Sequence, residues 1–388
     1  MVLSLVLPDE QTWAMSGLAL EGAEPAFELG RVRQVLLPDR VPDVLAGPLA
    51  ETLASLPPDV ETVDRRIRYP GTAIGELRAV PEPPHDHGGH DHGDMMAIVG
   101  EPSADGLVME PIELRFGPLG TPLPAGIVAG VTLDGDVVAA AGVEALFGPD
   151  VRRDVPDPLA PKAWELARAP GEDRWTELAA VEVERAVSHT AWLRAFARVL
   201  GWSELIDRTG GALAALAVLP PALELARPRL EALADLAESS RRLRWRTAGR
   251  GRVSPERARA LGLHGPSARA SGLPVDARTE DPRYRRLGFQ PIVRTEGDAL
   301  ARTRVRAAEA VAAVELAVAA LAIADPPPTA AGPVEGPRGP LSAAGGRLEA
   351  PGESAALVAA GEAMTGLEWA SALTVLASFD LSPWRVTA

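Results

Sequence analysis

The sequence predicts a mainly α-helical protein, a helical bundle with small β-hairpin and sheet elements, preceded by a mixed α+β extension. In the second half of the chain, apolar residues recur three and four positions apart, which is the spacing of a buried helix face. The 388 residues also include 37 glycines and 37 prolines, well above average usage. Irregular connections must therefore separate the helices.

Composition narrows the classes of function. A hydrophobic share of 46% and a charged share of 24% are ordinary for a packed soluble protein. The net charge of −14 argues against nucleic acid as a partner, since phosphate binding needs a clustered cationic face. The 388 residues contain no cysteine, so they offer no disulfide, no thiolate zinc site, no cysteine nucleophile and no iron–sulfur ligand.

Residues 1–80 form the first predicted unit, of α+β type. Its opening residues, Val2–Leu7, favour a strand that Pro8 ends, and Val41–Leu56 has a short helical pattern. The start of the chain lacks the basic region and cleavage site of a signal peptide. No run of 18 uncharged apolar residues occurs, so we expect no membrane-spanning helix.

Residues 81–94, PEPPHDHGGHDHGD, are a linker by composition. They hold four histidines, His85, His87, His90 and His92. One interpretation is a Ni²⁺ or Zn²⁺ site built from these imidazoles. We favour the other, a solvated tether that binds divalent metal weakly and incidentally, because glycines and prolines leave the ligand geometry unorganised.

The elements of residues 95–388 follow from turn and helix signals. Asp134-Gly135 predicts a hairpin turn. One helix is expected over about 174–199, and another over 211–236 with interruptions at Pro220-Pro221 and Pro228. A short helix should begin after Ser254, with serine as N-cap and proline in its first turn.

The longest helix is predicted over about 298–324, with Asp298 as its N-cap. Arg302, Arg306 and Glu309 are expected on a solvated or subunit-facing stripe of this helix. A last helix is predicted over 354–379. Three tryptophans are expected as core or interface anchors: Trp192, Trp202 and Trp245.

Four motifs occur in an order that resembles one protein family. Residues 263–309 contain Gly265…Arg269-Ala270-Ser271-Gly272…Asp276…Arg278…Asp281-Pro282…Tyr284. Residues 181–201 read VEVERAVSHTAWLRAFARVLG, residues 115–138 read RFGPLGTPLPAGIVAGVTLDGDVV, and residues 334–339 read VEGPRG. Together they resemble the large subunit of membrane-bound nickel–iron hydrogenases and its relative, the D-type subunit of NADH:quinone oxidoreductase (complex I). The resemblance covers residues 95–388 and implies a hydrogenase large-subunit-like fold.

The resemblance also implies a polar network of charged motif residues. Helical spacing places Glu182 near Arg185, and Arg185 near His189, on one helix face. The network either links the protein to a quinone cavity or proton path, or holds helices together; we favour packing, because buried paired charges more often hold a chain than perform chemistry. Its predicted members are Glu182, Glu184, Arg185, His189, Arg269, Asp276, Arg278, Asp281 and Arg338.

The reactive groups of the resembled family are missing. In the D-type subunit the loop of the opening hairpin carries a histidine that helps bind the quinone. The equivalent loop here contains Gly120, Thr121 and Pro124, and Gly120 and Pro124 occupy the two histidine positions of the family motif. Glycine and proline cannot donate a side-chain hydrogen bond. The resembled hydrogenases hold nickel and iron through four cysteines, which this sequence lacks.

These observations predict a redox-inactive, large-subunit-like component of a complex I-like or hydrogenase-like assembly, with a structural or coupling role and no cofactor of its own. The resemblance implies an iron–sulfur small subunit and membrane-arm subunits as partners, and a cytoplasmic position at the inner face of the membrane. One alternative is a working quinone-site subunit with a remodelled pocket. Another is a metal-handling or binding protein that uses the histidine linker.

Overall fold

A computed structural model of the chain describes residues 2–6, 24–29, 32–36, 62–65, 111–116, 127–145, 160–168, 174–217, 223–344, 347–349 and 353–381. These residues form a helical bundle with small antiparallel sheets, as predicted. Among the described helices, none combines the length and the apolar character needed to cross a bilayer.

The described α-helices all lie after residue 160. A 3₁₀ turn, Ala277–Thr279, also lies in this region. The described α-helices are α1 Pro161–Arg168, α2 Trp175–Val199, α3 Ser203–Leu216, α4 Leu223–Ser239, α5 Arg241–Thr247, α6 Pro255–Leu261, α7 Gly265–Ala270, α8 Pro282–Arg286, α9 Ala299–Leu321, α10 Glu353–Met364 and α11 Trp369–Ser378.

Polar caps fix where two of the predicted helices begin. The Asp298 carboxylate accepts a hydrogen bond from the backbone N–H of Ala301 at 2.8 Å, at the start of α9. The Ser254 hydroxyl accepts from the backbone N–H of Arg257 at 3.1 Å, at the start of α6. Each cap satisfies a backbone donor that the first helical turn leaves open, so both predictions are confirmed.

Two predicted helices have different bounds in the structure. Pro228 lies inside α4 without interrupting it, because the apolar stripe Leu223, Ala226, Leu230 and Leu233 is buried on both sides of the proline. The predicted last helix is two helices, α10 and α11, and between them Gly366 adopts a left-handed φ of +77°. The longest described helix is α2, with 25 residues against 23 in α9.

Three antiparallel sheets accompany the helices. In residues 2–65 the strands pair in the order β2-β3-β1-β4, and the predicted first strand is β1. The other sheets have the orders β5-β6-β7 and β10-β9-β8. The strands are β1 Val2–Val6, β2 Glu24–Leu29, β3 Val32–Leu36, β4 Thr62–Arg65, β5 Ile112–Phe116, β6 Ile127–Asp134, β7 Val137–Ala145, β8 Val334–Gly336, β9 Gly339–Ala344 and β10 Arg347–Glu349.

The hairpin of β6 and β7 turns at Asp134-Gly135, as predicted, with Gly135 at φ +62°. The division into residues 1–80, 81–94 and 95–388 stays a prediction. The predicted helix Val41–Leu56 and the histidine linker lie outside the described residues.

Two large apolar clusters form the core of the described part. The first lies inside the bundle, where α9 packs against α2 and α4, and it includes Trp192 and Trp202. The second lies between β6 and the helices α10 and α11. Trp245 belongs to neither cluster and is 70% exposed, so of its two expected roles the core anchor is wrong and the interface anchor stays a prediction.

Candidate functional site

Charged side chains from four parts of the chain converge in the interior. On α2, residues three and four positions apart share one face, which brings Glu182, Arg185 and His189 together. That face is surrounded by α7 and the segment after it, and by α8, α9 and β8. We call the group the buried ion network, and its members are Glu182, Arg185, His189, Arg269, Asp276, Arg278, Tyr284, Glu309 and Glu335, each less than 9% exposed.

Arg269 connects three carboxylates of the network. Its Nε and Nη2 donate to the two oxygens of Glu309 at 2.6 and 3.1 Å. Its Nη1 donates to Glu335 Oε1 at 3.1 Å and lies 3.0 Å from Asp276 Oδ2. The fork of a guanidinium matches a carboxylate geometrically, so Arg269 fixes α7, α9 and β8 relative to one another.

Glu182 is the second centre of the network. It accepts hydrogen bonds from Arg185 Nε at 3.1 Å, from Arg278 Nη1 at 3.3 Å and from the Tyr284 hydroxyl at 2.6 Å. Arg185 also donates to the backbone carbonyls of Glu335 at 2.6 Å and Gly336 at 2.8 Å. This side of the network therefore joins α2 to α8 and to β8.

His189 and Glu309 form the deepest pair. His189 Nε2 lies 3.0 Å from Glu309 Oε2, while Nδ1 has no partner within the described residues. Burial lowers the pKa of His189 to about 4, against the opposing effect of Glu309. At neutral pH the imidazole is therefore uncharged, with its proton on Nε2 facing the Glu309 carboxylate.

The carboxylates of the network differ in their proton affinity. Burial alone raises the pKa of Asp276, but Arg269 and Arg278 outweigh it and lower that pKa to about 2. Burial likewise opposes ionisation of Glu309, and Arg269 and His189 nevertheless hold its pKa well below the usual range. Burial and the neighbouring Asp276 raise the pKa of Glu335.

The charge balance explains that difference. Four carboxylates face three guanidinium groups, and neutral His189 adds no charge, so one carboxylate is in excess. The raised pKa makes Glu335 the member that takes up a proton most readily. The network can hold charge and a proton in place, but its carboxylates and guanidinium groups already have partners inside the chain.

Three predicted members lie outside the network. Glu184 accepts from the backbone N–H of Ala163 at 3.0 Å and so supports the start of α1. Asp281 pairs with Arg283 at 2.7 Å and caps α8. Arg338 donates to the backbone carbonyl of Asp380 at 3.1 Å, near the end of α11.

Glu309, Glu335 and Tyr284 are network members that the sequence pattern did not single out as site residues. Glu309 was expected on a solvated or subunit-facing stripe with Arg302 and Arg306, and that expectation is wrong, because all three are at most 1% exposed within the chain itself. Charge alone does not show whether a helix face is solvated or buried.

Arg302 and Arg306 bind backbone carbonyls instead of water. Arg302 donates to Gly251 and Gly297 at 3.1 and 2.9 Å, and its guanidinium lies 4.1 Å from the Phe379 ring centre. Arg306 donates to the carbonyl of Phe379 at 2.9 Å and lies 4.5 Å from the Trp192 ring centre. Burial lowers the pKa of Arg302 to about 9 and that of Arg306 to about 10.

A cavity of about 300 Å³ borders the network. Arg278, Tyr284 and Glu335 form part of its wall, and Leu166 and Leu341 form an apolar part. The cavity thus brings open space next to the carboxylate with the raised pKa.

Metal ligation is not supported by the described residues. They contain no group of three or more His, Asp or Glu side chains arranged to hold a metal ion. The thiolate site of a nickel–iron centre does not fit this sequence, which has no cysteine. The quinone-loop positions Gly120, Thr121 and Pro124, and the four histidines of the linker, lie outside the described residues.

A part of the chain that contains most of the buried ion network is similar to a known protein family. The family model of the respiratory-chain NADH dehydrogenase 49 kDa subunit matches residues 214–336. This range contains Arg269, Asp276, Arg278, Tyr284, Glu309 and Glu335. Over part of its length the chain is therefore similar to this family, the D-type subunits of complex I.

Several curated members of the family show how far the similarity extends. A D-type subunit of the NADH-quinone oxidoreductase of Rhizobium etli is 47% identical over 76 residues, which are 19% of each chain. Its counterpart in Streptomyces coelicolor is 36% identical over 122 residues, 30% of this chain and 28% of the relative. The counterpart in Salinibacter ruber is 29% identical over 194 residues, 40% and 43% of the two chains. The chain therefore matches less than half the length of these relatives.

A solved structure extends the likeness in fold beyond the sequence match to the 49 kDa family. A chain of the membrane-bound sulfane sulfur reductase, an archaeal respiratory membrane complex, superposes with a TM-score of 0.55 at 18% identity. The superposition covers 71% of this chain and 97% of that one. The hydrogenase large-subunit-like fold predicted from the motifs is thereby confirmed.

Proposed function

We propose that this chain is a component of a membrane-associated oxidoreductase assembly of the complex I or hydrogenase type, in the position of the 49 kDa subunit. Its role is structural and coupling, and it carries no redox cofactor of its own. One observation carries the proposal: charged residues in the segment that matches the 49 kDa family form an internally paired ion network together with α2, while the sequence offers no cysteine for a metal centre.

The geometry of the network supports a scaffold role. A group that reacts with a substrate needs a free position for it, within hydrogen-bond reach. Here Glu182 accepts from three side chains and Glu309 from two. Their hydrogen bonds hold α2, α7, α8 and α9 together.

The proposed partners are an iron–sulfur small subunit and membrane-arm subunits, which would hold the chain at the inner face of the membrane. The relatives named above are subunits of NADH-quinone oxidoreductases, and the chain with the same fold comes from a respiratory membrane complex. Those names support a multi-subunit setting for the present chain.

A working quinone-site subunit is the second candidate. The relatives are named for quinone reduction, and a cavity of about 300 Å³ lies beside Tyr284 and Glu335 in the present chain. The two candidates can be distinguished by one measurement. A photoreactive quinone analogue would label the chain inside its assembly if the second candidate is correct, and would not label it if the first is correct.

Purification of the native assembly tests the proposal. A tag on this chain should bring down an iron–sulfur small subunit and membrane subunits in fixed ratios, identified by mass spectrometry. After removal of residues 81–94, metal analysis of the isolated chain should find no stoichiometric nickel or iron. A chain that purifies alone from its native membrane, or that retains such a metal, overturns the proposal, and quinone labelling of the chain would favour the second candidate.

A pair of matched variants tests docking through the hairpin loop. In the resembled complexes this loop faces the other subunits, and here it carries Leu119 and Leu123, outside the described residues. Leu119→Asp with Leu123→Asp should reduce co-purification of the partners without lowering the melting temperature. Leu225→Asp, at a leucine that is 65% exposed on α4, is the control and should leave co-purification unchanged.

A further inference from the structure

A strongly basic surface lies on a chain whose net charge is −14. The helix α5 and the turn after it contain six arginines within twelve residues: Arg241, Arg242, Arg244, Arg246, Arg250 and Arg252. Four of them are exposed, and Arg246 and Arg250 are half-buried. The buried ion network and the bundle core do not use this surface.

Most of these arginines have no acidic partner. Arg241, Arg244, Arg246 and Arg252 form no ion pair within the described residues. Two exposed arginines on other helices do form such pairs, since Arg208 pairs with Glu204 at 2.7 Å and Arg227 pairs with Glu231 at 3.1 Å. The carboxylate of Glu238, just before α5, is taken by Arg294 and Arg304.

A large aromatic side chain lies among these charges. Trp245 is 70% exposed and stands four residues after Arg241 in α5, so the two share one helix face. Local bonds hold the helix in place. The Ser240 hydroxyl accepts from Leu243 N–H at 3.1 Å, Arg250 donates to the Trp245 carbonyl at 2.6 Å, and Leu243 is buried beneath.

We infer that Arg241, Arg244, Trp245, Arg246 and Arg252 form a surface that binds anionic lipid headgroups, and we call it the Arg/Trp surface. Tryptophan is favoured at the membrane–water interface, where its ring contacts both apolar and polar groups. Each arginine close to an anionic membrane strengthens binding about fivefold. Mobile headgroup phosphates can satisfy several exposed guanidinium groups that no carboxylate of the described residues reaches.

A protein partner fits these observations less well. A stable protein interface needs a central apolar patch that excludes water over a broad area. The described part of α5 exposes one large apolar side chain, Trp245, surrounded by cations. Because the Debye length at physiological salt is about 8 Å, the acidic remainder of the chain repels the membrane little when this surface faces it.

Vesicle flotation of the isolated full chain tests the inference. The chain should float with vesicles of phosphatidylcholine and phosphatidylglycerol, and stay behind with vesicles of phosphatidylcholine alone. Binding should weaken steeply as salt is raised. The inference does not depend on the proposed function, because flotation uses the chain without its partners and co-purification uses the assembly.

Charge-matched variants locate the binding surface. Arg241→Gln with Arg244→Gln and Arg252→Gln should lower vesicle binding by about a hundredfold, from about fivefold for each arginine. Arg198→Gln with Arg208→Gln and Arg227→Gln changes the net charge equally and should lower binding less than about threefold. Trp245→Ala, added to the first triple variant, should weaken vesicle binding further. Thermal melts should show that all the variants stay folded.

Three results overturn the inference. The first is equal binding to both kinds of vesicle, and the second is an equal loss in the two triple variants. The third is binding of polyglutamate through the Arg/Trp surface without any vesicle binding, which would indicate an acidic protein partner.

Discussion

Arg185 shows how a single residue links two elements. It is fully buried and donates to Glu182 on its own helix and to the carbonyls of Glu335 and Gly336 on β8. The desolvation of a buried guanidinium is offset by bonds of this kind only while every partner is present.

Arg185→Ala should therefore lower the free energy of unfolding by about 3–5 kcal/mol, because it removes one member of a buried charge group. Urea unfolding followed by circular dichroism measures the loss. Arg208→Ala, which breaks an exposed pair with Glu204, is the matched control and should cost less than about 1 kcal/mol. Equal losses in the two variants would mean that water replaces Arg185 at little cost.

His189 gives the protein a specific pH dependence. Its folded-state pKa is about 4, below the ordinary value of 6.5. Between these two values the unfolded chain binds a proton on this residue and the folded chain does not. The stabilisation is thus complete above pH 6.5 and is lost as the pH falls towards 4.

Lowering the pH from 7 to 5 should cost about 2 kcal/mol through His189. His189→Gln keeps a hydrogen-bond donor for Glu309 but cannot take up a proton. Between pH 7 and pH 5 the free energy of unfolding of this variant should therefore fall by about 2 kcal/mol less than that of the unchanged protein. Denaturant unfolding at both pH values measures the difference. Parallel curves for the two proteins would show that His189 does not titrate in this window.

At the scale of elements, the close approach of α7 to the turn between β8 and β9 depends on one glycine. Gly265 has φ +63°, and a Cβ atom there would lie 2.1 Å from the carbonyl oxygen of Arg338. The left-handed conformation and the missing side chain are both required at this contact. The contact positions Arg269, at the end of α7, near Glu335 on β8.

Gly265→Ala should destabilise the chain far more than Gly262→Ala. Gly262 has a similar φ of +70° but no atom within 4 Å of the added Cβ, so it isolates the backbone cost of about 1–2 kcal/mol. At Gly265 the backbone of Arg338 must also move. Thermal melts of the two variants measure this difference in stability. Equal melting temperatures would show that the turn between β8 and β9 shifts without loss of stability.

At the scale of the whole molecule, the buried ion network joins the helical bundle to β8 without help from another chain. Its carboxylates and guanidinium groups have their partners within the described residues. A partner subunit is therefore not needed to supply their hydrogen bonds.

The isolated chain should accordingly show strong hydrogen-exchange protection in the middle of α2 and α9, around Arg185 and Glu309. Addition of the partner subunits should change that protection little and should protect surface segments instead. Exchange measured by mass spectrometry on the chain with and without its partners gives the comparison. Fast exchange in α2 that slows only in the assembly would contradict an internally satisfied network.

The sequence by itself determined the fold class, the hairpin at Asp134-Gly135, the caps Ser254 and Asp298, and the relationship carried by the motifs around Arg185 and Arg269. These depend on local backbone chemistry and on residue order, both of which are written in the chain. The sequence also determined that these 388 residues offer no thiolate to a metal.

Only the tertiary structure decided which charges are buried. Arg302, Arg306 and Glu309 on α9 have the composition of a solvated face, yet α2, α7 and α11 cover them. It also decided that Trp245 is exposed while Trp192 is buried. The physical reason is that burial of a charge depends on partners far away in sequence, such as Arg269 for Glu309, which become neighbours only when the helices pack.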